Sequence, residues 1–221
     1  MRLVMYAKCF KRLFDFILSL CATIILSPLL LILTVVGAVE MKGNPFFTQR
    51  RPGLIGRNGK ERIFKLIKFR SMTNEKDSTG KLLPDSARLK KYGRFLRNTS
   101  LDEIPELINI LIGDMSIVGP RPLMERYLSF YTDEERKRHT VRPGLTGYAQ
   151  VHGRNTVSWG DRISQDLYYV EHLSLILDIK IIIQTIMLVI KREGTSNDNM
   201  ENFDDYRKRQ WEMEKEGQPG C

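Results

Sequence analysis

Cysteine, histidine and tryptophan are scarce in this chain of 221 residues: three, three and two. Cys9, Cys21 and Cys221 are odd in number, far apart and form no Cys-x-x-Cys, which excludes a disulfide framework and a structural zinc site. His139, His152 and His172 lack metal-ligand spacing. No Gly-x-Gly-x-x-Gly and no Walker A sequence occurs, so neither a Rossmann nor a P-loop nucleotide site is expected. Nor is there a nucleic-acid module, and the aromatics are not interleaved with basic residues as a base-stacking sheet requires. Acidic charge is outweighed: 35 Lys and Arg against 26 Asp and Glu leave a net charge of +9. That balance suits anionic membranes or phosphorylated substrates as well as nucleic acid. The length allows one ordinary domain with a sizeable core and room for an appendage.

What the chain does have is a long apolar run, Leu13 to Val39, sufficient to enter a bilayer. Lys8, Lys11 and Arg12 precede it, as in a signal peptide, but no small-x-small cleavage site follows. A retained membrane segment is the better reading. Ser27-Pro28 falls mid-run, and Pro28 should kink or break a helix there. Lys42, Arg50 and Arg51 make the far flank basic too. By charge alone, a re-entrant hairpin returning to the cytoplasmic face and a kinked single-pass helix stand level. Asp15 is placed at headgroup level.

Beyond the run the composition turns soluble. Pro45–Gln49 and Ile63–Phe69 read as strands joined by a Gly-rich turn. Alternation puts Lys68 and Arg70 on one strand face. Asn74–Asp85 reads as a loop and Ser86–Arg97 as a basic helix. Most of that helix's charge reads as a solvated face, with Arg97 the better phosphate candidate because it lies nearest the motif that follows.

That motif is Thr99-Ser100-Leu101-Asp102-Glu103-Ile104-Pro105. Pro105 is harmless only in a first helical turn, which places a helix start near Asp102. On the residues alone Asp102 is more readily an N-cap, with Glu103 complementing the dipole or boxing with Ser100. The same position also suits an ionised aspartate that attacks phosphorus or holds magnesium. Downstream, Pro120-Arg121-Pro122 fixes an arginine between two restricted residues, ready to grip phosphate. Arg142-Pro143-Gly144-Leu145-Thr146-Gly147 signals a turn, Tyr148–Val151 a short strand, and Gly153-Arg154-Asn155 a close backbone approach beside a cation. Trp159 to Tyr169 reads as a helix. Leu173–Ile190, interrupted by Asp178, Lys180 and Gln184, reads as an interfacial or core-packed helix. Asp204–Glu216 reads as a surface helix.

Together these blocks, with Phe47-Thr48-Gln49-Arg50-Arg51-Pro52-Gly53 and Lys68-Phe69-Arg70-Ser71-Met72, resemble the small monotopic phosphoglycosyl transferases, PglC-like members of the bacterial sugar transferase family. The resemblance runs from the apolar segment to about Arg192. It implies a mixed α/β, mostly helical fold: a re-entrant membrane helix over residues 1–42 bent at Ser27-Pro28, a catalytic domain over 43–194 with interfacial helices, and a charged tail over 195–221. It reverses the capping preference. Asp102 becomes the nucleophile of an Asp-Glu dyad with Glu103, and also a ligand of the cofactor Mg2+. Lys68, Arg97, Arg121, Arg154 and Asn155 become phosphate or substrate contacts. The implied reaction is ping-pong: UDP-sugar gives UMP and a phosphosugar-aspartate, which passes to undecaprenyl phosphate at the cytoplasmic face of a bacterial inner membrane. Short members often use N-acetylated sugars. The rival class is a membrane-tethered scaffold binding lipid or nucleic acid, which would need neither Asp102 nor magnesium. A polytopic transferase is disfavoured by the single membrane segment.

Overall fold

The longest element of the computed structural model, which describes Tyr6 and residues 10–153, 157–191 and 201–217, is helix α1, Lys11–Glu40, 30 residues long. It is not broken at Pro28. Proline removes the donor that would bond the Ile24 carbonyl, and the Ser27 hydroxyl donates to that carbonyl instead, at 2.8 Å. At ~1.5 Å per residue α1 is about 45 Å long, yet both of its ends pack on the same body of protein. At the start, Lys11 is buried against Asp178 at 2.6 Å. Arg12 donates to the Ile110 and Leu111 carbonyls. Asp15, expected at headgroup level, is buried within the protein and accepts from Ser116 Oγ and the Ile117 amide. At the far end Leu33 joins Phe69 and Leu96 in a core cluster, and Tyr92 donates to the Leu33 carbonyl.

Strands β1, Phe46–Ile55, and β2, Glu61–Phe69, form an antiparallel hairpin longer at both strands than the apolar runs suggest. Phe64 and Leu66 point from one face into a core with Leu107, Ile110 and Met115. Lys68 continues that face by alternation. The basic stretch 86–97 divides into α2, Asp85–Arg88, and α3, Lys91–Asn98. The division lets α3 dock on the chain after β2, where a Cβ on Gly93 would lie 1.8 Å from the Ser71 carbonyl oxygen.

Helix α4, Glu106–Ile112, follows Pro105 and ends at Gly113, whose φ of 93° supplies the left-handed cap. The short parallel strands β3, Ser116–Val118, and β4, Gly144–Thr146, are separated by α5, Asp133–Arg136. The glycines of the Gly-Pro-Arg-Pro and Pro-Gly-Leu-Thr-Gly blocks belong to one packed unit. A Cβ would lie 2.3 Å from the Arg142 carbonyl oxygen at Gly119, 2.1 Å from the Gly119 nitrogen at Gly144, and 2.2 Å from the Gly119 oxygen at Gly147.

Tyr148–Val151 is not a strand but the body of α6, Tyr148–His152. Gly144–Thr146 already occupies the position beside β3, and the chain turns off the sheet at Gly147. Helices α7, Trp159–Glu171, and α8, Leu175–Lys191, complete the domain. Helix α9, Phe203–Lys215, is more than a surface helix, because Phe203 is fully buried among Tyr127, Tyr131 and Trp159. Helices outweigh strands throughout, so the fold is mixed α/β and mostly helical.

The surface carries an unusual share of exposed aliphatic side chains. Helix α1 alone presents Ile24, Ile25, Leu31, Ile32, Val35 and Val39, with Ile25 75 % exposed. Helix α8 adds Ile176, Ile183, Ile186 and Ile190. Monomeric soluble proteins rarely leave such surface open to water.

Candidate active site

Asp102 and Glu103 lie in a single 3-10 turn, Leu101–Glu103, entered through Ser100 in the left-handed conformation at φ 55°. A non-glycine residue held there costs about 1 kcal/mol or more, the kind of strain that collects at functional sites. The capping expectation fails. Helix α4 begins after Pro105, Ser100 makes no side-chain cap, and Asp102 makes none either. Since α4 starts beyond the dyad, its first amides are not bonded by these side chains.

Three elements converge on the turn. From β2, Lys68 Nζ reaches Glu103 Oε1 at 2.5 Å and Glu106 Oε1 at 3.1 Å. From the Pro-Arg-Pro segment, Arg121 Nη2 reaches the same Glu103 oxygen at 2.7 Å. From α3, Arg97 stands within electrostatic range of Asp102 while bonded to Ser71 Oγ and Met72 Sδ. Lys68, Arg97, Asp102, Glu103 and Arg121 line a cleft of about 1320 Å³. One part of its wall is apolar: Ala22, Leu26 and Leu29 of α1 face Ile182, Ile186 and Val189 of α8. The dyad and its cations form the polar part.

The carboxylates are set in different states. Burial works against ionising Glu103, but the charges and hydrogen bonds of Arg121 and Lys68 outweigh it and hold this carboxyl well below the usual range. For Asp102, burial and then the neighbouring Glu103 push the other way, and Lys68, Arg121 and Arg97 offset them only in part, so its carboxyl is raised. No described side chain hydrogen-bonds to it. A more basic, unbonded carboxylate is the better nucleophile and the readier metal ligand; a carboxylate clamped by two cations is neither. Among the described residues no preformed cluster of three metal-binding side chains exists. Magnesium does not require one where substrate phosphates supply most of the oxygens, and Asp102 is chemically suited to be its single protein carboxylate.

Glu106 is a third acid in this cluster. Its side chain is 4 % exposed, and burial, partly offset by Lys68, pushes it up to about 7. A raised carboxyl contributes stability that is complete below the unfolded value near 4.5 and is lost as pH rises through about 7. Glu106→Gln keeps an oxygen for Lys68 and removes the titration. The variant should therefore gain on wild type between pH 4.5 and 7, by ~3 kcal/mol at most. Thermal unfolding across that range checks this; parallel curves for the two proteins would refute it.

The family model for bacterial sugar transferases matches residues 6–192. The chain belongs to the bacterial sugar transferase family. It is 47 % identical over 194 residues to the uncharacterized sugar transferase EpsL of Bacillus subtilis, covering 86 % of this chain and 91 % of that one. It is 40 % identical over 188 residues to the UDP-glucose:undecaprenyl-phosphate glucose-1-phosphate transferase of Klebsiella pneumoniae, covering 80 % of this chain and 39 % of the relative. It is 38 % identical over 202 residues to the undecaprenyl-phosphate galactose phosphotransferase of Salmonella typhimurium, covering 83 % and 41 %.

In this sugar transferase fold, Lys68, Arg97, Asp102, Glu103 and Arg121 share one cleft. Arg154 and Asn155 lie outside the described residues. Ser27 and Pro28 are inside α1 and are not among the residues lining this cleft. Three supporting residues escaped the sequence reading. Glu106 is one. Asn109 is fully buried and closes the free side of β2, donating to the Lys65 carbonyl at 2.8 Å and accepting from the Ile67 amide at 3.0 Å. It thereby fixes α4, and the dyad before it, against Lys68. Arg138 is buried, ion-paired to Asp166, and donates to the Arg121 carbonyl at 2.8 Å. Each looks in sequence like an ordinary polar residue of a helix or turn; only the packing reveals the partner.

Proposed function

We propose that this chain transfers a sugar 1-phosphate from a UDP-sugar to undecaprenyl phosphate, releasing UMP. The observation that carries the reading is one cleft joining Asp102, its carboxyl raised and hydrogen-bonded by no described side chain, to the apolar faces of α1 and α8. The relatives' names supply the two substrate classes. In the first step an Asp102 oxygen attacks the β-phosphorus. The bond from that phosphorus to the bridging oxygen breaks, and UMP leaves with the electron pair. In the second, a phosphate oxygen of the polyprenyl phosphate attacks the same phosphorus, and Asp102 leaves as the carboxylate. Arg121 and Lys68, anchored by Glu103, stand where charge develops on the transferred group. Glu103 keeps those cations in place and is poised to assist the incoming phosphate. Asp102 would hold Mg2+ together with the diphosphate oxygens, and the ion would neutralise their charge.

The anchoring of α1 supports the membrane reading. Both ends of α1 pack on one domain, which favours a helix that returns to the face it enters over one that carries its far end across the bilayer. Entry and return through one face, with a bend at Ser27-Pro28, satisfies both the packing and the exposed aliphatic surface. Nucleotide sugars are cytoplasmic, so that face would be the cytoplasmic side of a bacterial inner membrane. The substrate would be one UDP-sugar, with N-acetylated sugars the first to try.

The test is UMP release from a panel of UDP-sugars by membrane-reconstituted protein with undecaprenyl phosphate and magnesium. We expect UMP from one donor and none after chelation. A folded, inserted protein that releases no UMP from any donor would overturn the reading in favour of a scaffold.

A further inference from the structure

Helix α9 lies beyond residues 6–192, the stretch matched by the family model, and its sequence is mostly charged. Phe203, Tyr206 and Trp211 nevertheless fall on one broad side of it. All three pack on the domain. Phe203 is fully buried, Tyr206 adjoins the same cluster, and Trp211 stacks on Phe130 with ring centroids 5.7 Å apart. The Phe203 ring meets Tyr127, Tyr131 and Trp159 at centroid distances of 5.5, 5.1 and 5.3 Å. Polar contacts surround it. Trp159 Nε1 donates to the Glu201 carbonyl at 3.0 Å, Arg126 pairs with Asp204 at 3.5 Å, and Arg207 pairs with Glu135. A buried aromatic ring inside a polar rim is the arrangement that anchors a docked segment.

Two of the rings under Phe203 lead to the cleft. Trp159 lines it directly. Tyr131 packs its ring on Phe203 and holds its hydroxyl 3.3 Å from Arg138 Nη1. Asp166 takes Nε and Nη2 of that guanidinium, which leaves Nη1 to Tyr131 and His139. Arg138 in turn donates to the Arg121 carbonyl at 2.8 Å, and Arg121 Nη2 reaches Glu103 Oε1 at 2.7 Å. Each step from Phe203 to the dyad is a direct contact. Close-packed interiors transmit displacements instead of absorbing them. A shift of ~1 Å at a group that grips a reacting phosphate costs up to about a hundredfold in rate.

We infer that α9 is a clasp on the active site, in which Phe203 is a positioning residue that acts through Tyr131 and Arg138 to aim Arg121 at the transferred phosphate. This rests on the transfer reaction proposed above. The test uses full-length, membrane-reconstituted protein given a UDP-sugar without acceptor. Each competent molecule then releases one UMP: the amplitude counts competent molecules and the rate constant reports the first displacement. Phe203→Leu keeps an apolar side chain but loses the ring contacts. Tyr131→Phe keeps the ring on Phe203 and removes only the hydroxyl beside Arg138. Each should slow the first displacement by about tenfold or more with the amplitude per folded chain unchanged. The double variant should be slower than the slower single by much less than the product of the two effects, because both act along one route. A helix that merely adds stability would lower the amplitude and leave the rate constant alone, and that result overturns the inference. So do two effects that multiply in the double variant, which would place Phe203 on a separate route. Should Phe203→Leu fail to fold, Tyr131→Phe leaves the core filled and an unchanged rate constant in it overturns the inference equally. A wild type that releases UMP only with acceptor present loses the covalent step and not the clasp; the same four proteins are then compared by kcat per folded chain. A wild type that releases no UMP from any donor overturns the reaction itself.

Discussion

Asp102→Asn should lower UMP release by about 10⁴-fold or more, the scale seen when a covalent nucleophile is removed, and should leave the fold intact. The two halves of this expectation have separate origins. Asparagine has the same shape but no anionic oxygen to form an acyl phosphate, so the first half-reaction proposed above would have no entry. Stability is spared because Asp102 caps no helix and accepts no hydrogen bond from a described side chain. Removing its charge also relieves repulsion from Glu103 in a partly buried position. The expected change in unfolding free energy is within about 0.5 kcal/mol, as for a substitution that breaks nothing. Glu103→Gln should behave differently: it weakens the hold on Lys68 and Arg121 together, so activity and stability fall in step. Measuring UMP release beside thermal unfolding for both variants decides the matter. Appreciable turnover by folded Asp102→Asn would sink the covalent route; a large loss of stability in it would restore the cap.

The contrast between those two neighbours marks how far the sequence could be read. The pair stood out in the sequence only through the several motif blocks read together, since the acidic dipeptide alone reads more readily as a cap. Which acid is clamped and which is left unbonded is a tertiary property, set by Lys68 from β2 and Arg121 from beyond β3. The hairpin was legible from its apolar runs and turn, and the two long apolar helices from runs of hydrophobic residues that a few polar positions do not break up. Pro28 misled in part: its local rule is correct, but a serine one position earlier satisfies the freed carbonyl. Asp15 has partners that its local sequence does not show. A carboxylate in an apolar run suggests a watery boundary, whereas here it accepts from Ser116, a hundred residues on. Tyr148–Val151 failed as a strand because strand propensity carries no information on whether a pairing edge is already taken.

The Arg138–Asp166 pair is where fold and site are least separable, and Asp166→Ala should be the most destabilising of the substitutions considered. Arg138 is 1 % exposed. Its Nε and Nη2 reach one Asp166 oxygen at 3.1 and 2.6 Å, and Nη1 lies 3.3 Å from the Tyr131 hydroxyl. Removing the carboxylate leaves a buried guanidinium without a counter-charge, a change that costs about 3–5 kcal/mol. A domain typically has only about 5–15 kcal/mol in total. The same guanidinium holds the Arg121 main chain, so whatever remains folded should also transfer poorly. Replacing both partners with apolar residues, Arg138→Met with Asp166→Leu, removes the unpaired charge and should recover most of the stability. It cannot restore the bond to the Arg121 carbonyl, so activity should stay low. Thermal unfolding and UMP release for wild type, single and double variants separate the two effects. A single variant as stable as wild type would show that water reaches Arg138 and that the pair is dispensable. A double variant that regains activity along with stability would show that Pro120 and Pro122 suffice to aim Arg121 without help from the buried pair.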